Sequence, residues 1–325
     1  MRLAHLILLA CSGSVLLASA AYSQQKEWVQ SLSETHKLTD EQKANLQKVL
    51  DKSQFIGQGN SKITVHPVSR EECLQKKVSF DNPEFEKICG ARYMAPLYDP
   101  SKQKPTDAKA CIDQFEFPNI PCEYPVVWTR ASEAAEICEA LGKRLCDAHE
   151  WEGGCAGALE EPDYDFDSGK GLSAEQKIRD RRMKHNAKAP KTWAYGNAFR
   201  KGVCAANSVK FEGCNGGDWN KCGSNTYPAG SFPDCKSTLG VYDQHGNAAE
   251  HMNLPVEESE MASKGSKTLG YTEMKGSWFI WDKFQAHPDQ CRWRAPFWHG
   301  SKVRDPKSHH NYHLGFRCCK TVSSP

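Results

Sequence analysis

The chain has 325 residues, 39% hydrophobic and 25% charged, an ordinary globular mixture that excludes a collagenous, disordered or polytopic membrane protein. Lys plus Arg number 42 against 40 Asp plus Glu, a formal net charge of +2 that argues against a nucleic-acid binder or a polybasic membrane-surface protein. The 15 cysteines stand out, because a reducing compartment gives so many thiols little structural use outside metal sites, whereas an exported chain can pair them.

The first element is an export signal over residues 1–23. Arg2 precedes an apolar run from Leu3 to Ala10, Val15, Leu16 and Leu17 follow a small-residue break, and Ala18, Ser19 and Ala20 have the spacing a signal peptidase reads. Cys11, Ser12, Gly13 and Ser14 interrupt the run, so it falls short of the roughly 20 apolar residues of a spanning helix, and no later stretch is apolar enough either. Lipoprotein processing at Cys11 is the alternative. Signal removal takes Cys11 away and leaves 14 cysteines, an even number suited to disulfides in the periplasm or outside the cell.

Residues 24–88 read as a short helical preface and a linker. Thr39 and Gln42 form a capping box, and Leu46, Val49 and Leu50 supply one apolar stripe. From Phe55 to Lys87, Gly57, Gly59, Pro67 and Pro83 interrupt any periodicity, which predicts an extended linker into a main domain over 89–325. There, Thr129 is placed to cap a helix through Ala134, Ala135, Ile137, Cys138 and Leu141 that Gly142 stops. Asp147 and Glu150 box the start of a second helix carrying Trp151 and ending at Gly153 and Gly154. Short β pieces are expected at Ala110 to Phe117, Gly240 to Tyr242 and Gly276 to Trp281 between long loops, an α+β class with little regular structure and cysteines as staples.

Six blocks of the main domain resemble, in order, the formylglycine-generating enzyme or sulfatase-modifying factor family. Cys111 to Asn119 (CIDQFEFPN) resembles the family's IDRFEVTN strand, and Gly142 to Glu152 (GKRLCDAHEWE) resembles GKRLPTEAEWE, with Cys146 and Asp147 at the Pro-Thr positions. Trp193 to Asn197 (WAYGN) is similar to YPWGN, and Gly240 to His251 (GVYDQHGNAAEH) is similar to GLYDMVGNVWEW. Lys275 to Trp278 (KGSW) and Leu314 to Cys318 (LGFRC) match GGSW and LGFRC. The blocks span about Ala91 to Cys319 and imply the family's disulfide-stapled, C-type-lectin-related fold.

Calcium takes six to eight oxygens from carboxylates and from carbonyls that a tight loop aims inward, and Asp243 to Glu250 supplies a carboxylate, a Gly-Asn turn and a second carboxylate. By resemblance the structural calcium ligands are the side chains of Asp243 and Glu250 and the carbonyls of Gly246 and Ala248. A second family site would use Asn207 and the Ser208 carbonyl, with Asp218 nearby. Asp163 to Gly169 begins like an EF-hand loop but has Ser168 at the turn-glycine position and Ala174 at the bidentate-Glu position, so an exposed acidic loop is expected there. The resemblance also pairs Cys138 with Cys318 and Cys155 with Cys291, leaving ten mature cysteines unassigned. Adjacent Cys318 and Cys319 point to opposite faces if they lie in a strand and so need different partners.

Copper-dependent members of the family oxidise a substrate cysteine with two thiolates shortly after GGS, soft ligands suited to Cu(I). Here Gly276 to His287 (GSWFIWDKFQAH) holds no cysteine: Ile280 stands at the first position and Gln285 or Ala286 at the second, so copper is not expected. The His-rich helical domain that supplies iron in the related sulfoxide synthases is absent too, the preface having only His36 and His66; a periplasmic siderophore-maturation protein is a further relative. His309, His310 and His313 offer another transition-metal cluster, with solvated surface as the alternative. Trp278, Trp281, Trp293, Arg294, Phe297 and Trp298 would line a cleft for a peptide or planar ligand, or pack a core. Two functions follow: an oxidoreductase acting on a peptide or small molecule around Ser277, Trp278 and Arg294, or a non-catalytic binding module for a peptide, glycan or cell-envelope partner.

Overall fold

A computed structural model describes residues 27–58, 66–76, 79–209, 225–298 and 300–322. The export signal, Asp218, Cys214 and Cys222 lie outside the described residues. The helices are α1 (residues 27–36), α2 (Asp40–Lys52), α3 (Arg70–Gln75), α4 (Pro83–Cys89), α5 (Ala131–Ala140), α6 (Ala148–Ala156) and α7 (Ala174–Lys188). The strands are β1 (Gly57–Gln58), β2 (Met94–Leu97), β3 (Ala110–Asp113), β4 (Val126–Val127), β5 (Arg144–Leu145), β6 (Ala249–Leu254), β7 (Tyr271–Lys275), β8 (Leu314–Phe316) and β9 (Cys318–Thr321).

The strands form three small sheets. Antiparallel β2-β3-β9-β5 places Ile112 opposite Cys319 and Leu145 opposite Cys318. In β7-β6-β8, β6 is antiparallel to β7 and parallel to β8, while β1 pairs with β4. The α1–α2 arm is part of the core: Trp28, Leu32, Leu46 and Leu50 are buried with Ala134, Ile137, Phe117 and Phe316. Each fully buried leucine of this kind contributes about 1.5–3 kcal/mol. Among the described residues six disulfides join Cys73–Cys122, Cys89–Cys111, Cys138–Cys318, Cys146–Cys319, Cys155–Cys291 and Cys204–Cys235. Cys318 and Cys319 do take different partners, one from α5 and one from the turn before α6.

Several local expectations need correction. Residues 55–87 are not simply extended, because Ser69 and Glu72 form a reciprocal capping box on α3 and Asn82 caps α4 with Pro83 in its first turn. Arg130, not Thr129, is the N-cap of α5, its backbone N–H held by the Glu133 carboxylate, while Thr129 is buried. Helix α6 runs through Gly153 and Gly154 to a left-handed Gly157 at φ 79°. The two glycines allow close packing: a Cβ on Gly153 would lie 2.9 Å from Leu159 Cα, and one on Gly154 would lie 3.2 Å from Ile112 Cδ1. Strand β3 stops at Asp113, Gly240 to Tyr242 is irregular, and the strand expected from Gly276 instead ends before it, where φ of 74° turns the chain out of β7.

Candidate functional site

The turn entering β6 is shaped by three positive φ angles: Asp243 at 56°, Gly246 at 75° and Asn247 at 53°. At Gly246 only hydrogen fits, since a Cβ would approach the Ala205 carbonyl oxygen to 2.5 Å. The turn folds Asp243 and Glu250 into a buried cluster with Glu116, next to β3, and Arg317, between β8 and β9. Arg317 clamps Glu250 bidentately, Nε to Oε2 at 2.7 Å and the terminal nitrogen to Oε1 at 2.8 Å, and Trp151 Nε1 adds a third bond at 3.0 Å. The remaining Arg317 donors go to the carbonyls of Asp113, Gln114 and Tyr242.

Of the three buried carboxylates only Glu250 is bonded to Arg317, while Asp243 and Glu116 feel its charge at a distance. Burial and the Glu250 charge push the Asp243 carboxyl up to about 7, against the Gly230 N–H and Arg317, which favour its ionised form. Burial and Asp243 likewise raise Glu116 well above the usual range. Asp243 Oδ2 accepts from the Gly230 N–H at 2.6 Å, whereas Asp243 Oδ1 and Glu116 Oε2 are buried without a hydrogen-bond partner. Unpartnered carboxylate oxygens in excess of the local positive charge are a donor set that fits a hard divalent cation such as calcium. Glu250 differs from the expected free ligand in having both oxygens engaged by Arg317. At the second expected site, Asn207 is exposed and the Ser208 carbonyl already accepts from the Lys283 ammonium at 2.9 Å.

Ser277 is fully buried, donating to Asp289 Oδ2 at 3.2 Å and accepting from the Gly246 N–H at 2.8 Å. Arg294 is 2% exposed and is held by Glu152 at 2.9 Å and Asp163 at 2.8 Å, over the Tyr164 ring at 5.0 Å. Burial alone would raise Glu152, yet Arg294 and Lys275 hold it down at about 2. Asp163, Asp165 and Asp167 of the acidic loop are exposed, as the sequence predicts, while buried Tyr164 and the bond from Arg294 to Asp163 anchor it.

Trp278 sits in an aromatic group centred on His287, whose ring stacks on Trp293 at 4.9 Å and 3° and lies 4.6 Å from Trp281. Trp278 and Trp298 are each 5.6 Å from His287, and Trp298 stays 51% exposed at its edge. Phe297 is turned away against Tyr271, 5.7 Å between ring centres. The C-terminal histidines do not form one metal-ligand group: His310 stacks on Phe55 at 4.2 Å and His313 on Trp278 at 4.7 Å.

Among the described residues, one group of three Cys, His, Asp or Glu side chains has ligand atoms within 4.8 Å of one another: Cys155, His245 and Cys291. His245 Nε2 lies 3.3 Å from the Cys155 sulfur and 3.7 Å from the Cys291 sulfur, and Nδ1 lies 3.6 Å from Asp289 Oδ2. The sulfurs are joined as a disulfide, so the soft donors are masked as the structure stands. Sequence reasoning missed Glu116, Arg317, His245 and Asp289. The first three lie inside the quoted blocks, but nothing in spacing alone says that their side chains converge.

No curated protein matches the chain in sequence. A solved structure titled "Crystal Structure of CarF" aligns over 71% of this chain and 96% of its own with 10% identity and a TM-score of 0.36. Residues 54–322 match the sulfatase-modifying factor enzyme 1-like domain (FGE-sulfatase), and the chain belongs to that family.

Proposed function

We propose that the chain is an exported, calcium-stabilised family member acting as a non-catalytic binding module for a peptide, glycan or cell-envelope partner. The aromatic group carries this reading: where the copper-dependent relatives keep two thiolates, residues 276–287 contribute Trp278, Trp281 and His287, buried rings that with Trp293 hold half-exposed Trp298 at the surface. An exposed indole held in this way takes a sugar face or a peptide side chain through stacking and cation–π contacts without chemistry. Burial of Ser277 and Arg294 in bonded networks supports a structural role for both. Export is supported by the apolar leader and by the bridging of every described cysteine, which suits an oxidising compartment. No helix of the described residues is long and apolar enough to cross a membrane. Calcium is supported by the unpartnered oxygens of Asp243 and Glu116.

Elemental analysis and thiol titration of the mature protein from an oxidising compartment test this directly. Calcium with no titratable thiol and no redox metal is expected, and stoichiometric copper or iron overturns the reading. A second reading, an oxidoreductase on a peptide or small molecule, is favoured by His245 beside the Cys155–Cys291 bridge. Two electrons and two protons from a dithiol reductant would open the bridge to two thiols, and loss of those protons would leave two thiolates and an imidazole suited to Cu(I). One Cu(I) per chain after anaerobic reduction, lost in His245→Ala, would favour it.

A further inference from the structure

A cavity lies where the α1–α2 arm meets the main domain, ≈ 240 Å³ in volume, with His36, Lys37 and Gln42 on one wall and Gly142, Lys143 and Lys320 on the other. The arm wall precedes the residues that match the family domain, which begin at 54, so the cavity is assembled from a part of the chain outside the family match. Three lysines line it and no Asp or Glu does. Asp113 sits behind one wall, its Oδ1 2.6 Å from Lys143 Nζ, and offsets one of those charges. Lys320 Nζ is tethered to the carbonyls of Cys89 and Gly90, both at 2.9 Å. Each bonded ammonium keeps a donor in reserve, because –NH₃⁺ has three.

We propose that this cavity binds a small molecule through a phosphate group, with Lys37, Lys143 and Lys320 as its charged donors. The charge balance asks for an anion: burial and the Lys143 charge together lower Lys320, a cost that a bound anion removes. The size fits a small ligand, since the cavity is below the roughly 300 Å³ at which pockets accept drug-sized molecules. His36 lines the wall with its Nε2 proton donated to the Pro118 carbonyl at 2.9 Å. Burial and Lys143 keep His36 neutral, down at about 3.

Titration calorimetry of the mature full chain at low ionic strength, with inorganic phosphate and glycerol 3-phosphate as separate probes, tests the site. Saturable one-to-one phosphate binding is expected, weakened about tenfold or more in Lys37→Gln and in Lys320→Gln by loss of a charge-assisted hydrogen bond. It should be unchanged in Lys48→Gln, an exposed arm lysine outside the cavity. Tighter binding of glycerol 3-phosphate assigns the site to a phosphomonoester, and tighter inorganic phosphate assigns it to the free ion. Binding absent at millimolar phosphate, or unaltered in both cavity variants, overturns the proposal. Circular dichroism melting of each variant, with Lys320→Arg retaining charge and binding, separates loss of the site from loss of the fold.

Discussion

At the scale of single residues, the chain's most consequential feature is a surplus of buried negative charge. Asp243 has its carboxyl raised from 3.8 to about 7 by burial and by Glu250. Between those values the unfolded chain has released the proton and the folded chain still holds it, so the group makes stability fall as pH rises from about 4 to 7. A cation bound to the ionised carboxylate reverses that sign, because it binds only the deprotonated form. The calcium-free protein is therefore expected to lose a few kcal/mol more between pH 4 and 7 than Asp243→Asn does. Added calcium should raise the melting temperature of the native chain at pH 7 by several degrees and leave the variant unmoved. Melting curves with and without chelator check both, and a calcium response surviving in Asp243→Asn would remove Asp243 from the site.

Only part of this was legible in the sequence. The carboxylate, Gly-Asn turn and second carboxylate of residues 243–250 are contiguous, so their common placement follows from local chain geometry. Glu116 and Arg317 reach the same point from positions far away in sequence, through sheet pairings that no periodicity encodes. Arg294 shows the same limit from the other side: an arginine among tryptophans reads as a cleft residue, but its pairing with Glu152 and Asp163 makes it a buried clamp.

At the scale of elements, capping chemistry was the dependable signal and glycine the ambiguous one. The boxes at Thr39 and Asp147 each start a helix, and the one at Ser69, hidden in a Pro- and Gly-interrupted stretch, starts another. Gly153 and Gly154 look like a terminator but serve contact, and the difference lies in what faces them across the fold. Helix propensity alone predicts that alanine at either site stabilises α6 by up to about 1 kcal/mol. The packing predicts the reverse. Gly153→Ala meets backbone at Leu159 and should lower stability by about 1–3 kcal/mol, while Gly154→Ala meets the end of the Ile112 side chain and should cost less. Urea denaturation of the two variants checks the order, and stabilisation in either would refute the close-packing account.

At the scale of the whole molecule, short strands under long loops leave the core dependent on long-range ties. The arm supplies some of these by burying Leu32, Leu46 and Leu50 against α5, and disulfides supply the rest. Cys138–Cys318 and Cys146–Cys319 bind α5 and the turn before α6 to the same two residues of β9 across 180 and 173 positions, whereas Cys89–Cys111 closes only 22. If a bridge acts mainly by restricting the unfolded chain, Cys146–Cys319 already closes the long loop and Cys138–Cys318 restricts only about ten further residues, so removing it should cost about 2.5 kcal/mol, no more than the about 3 kcal/mol of Cys89–Cys111. Paired Cys→Ser variants, compared by denaturant midpoint at fixed pH and calcium, test this ordering. The arm sharpens the comparison, because α2 packs on α5 beside Cys138. If arm packing alone fixes α5, loss of the long bridge will cost no more than this chain restriction; if the bridge fixes α5 so that the arm can dock, it will cost more, and the long-bridge variant will also release the arm to proteolysis before the main domain unfolds.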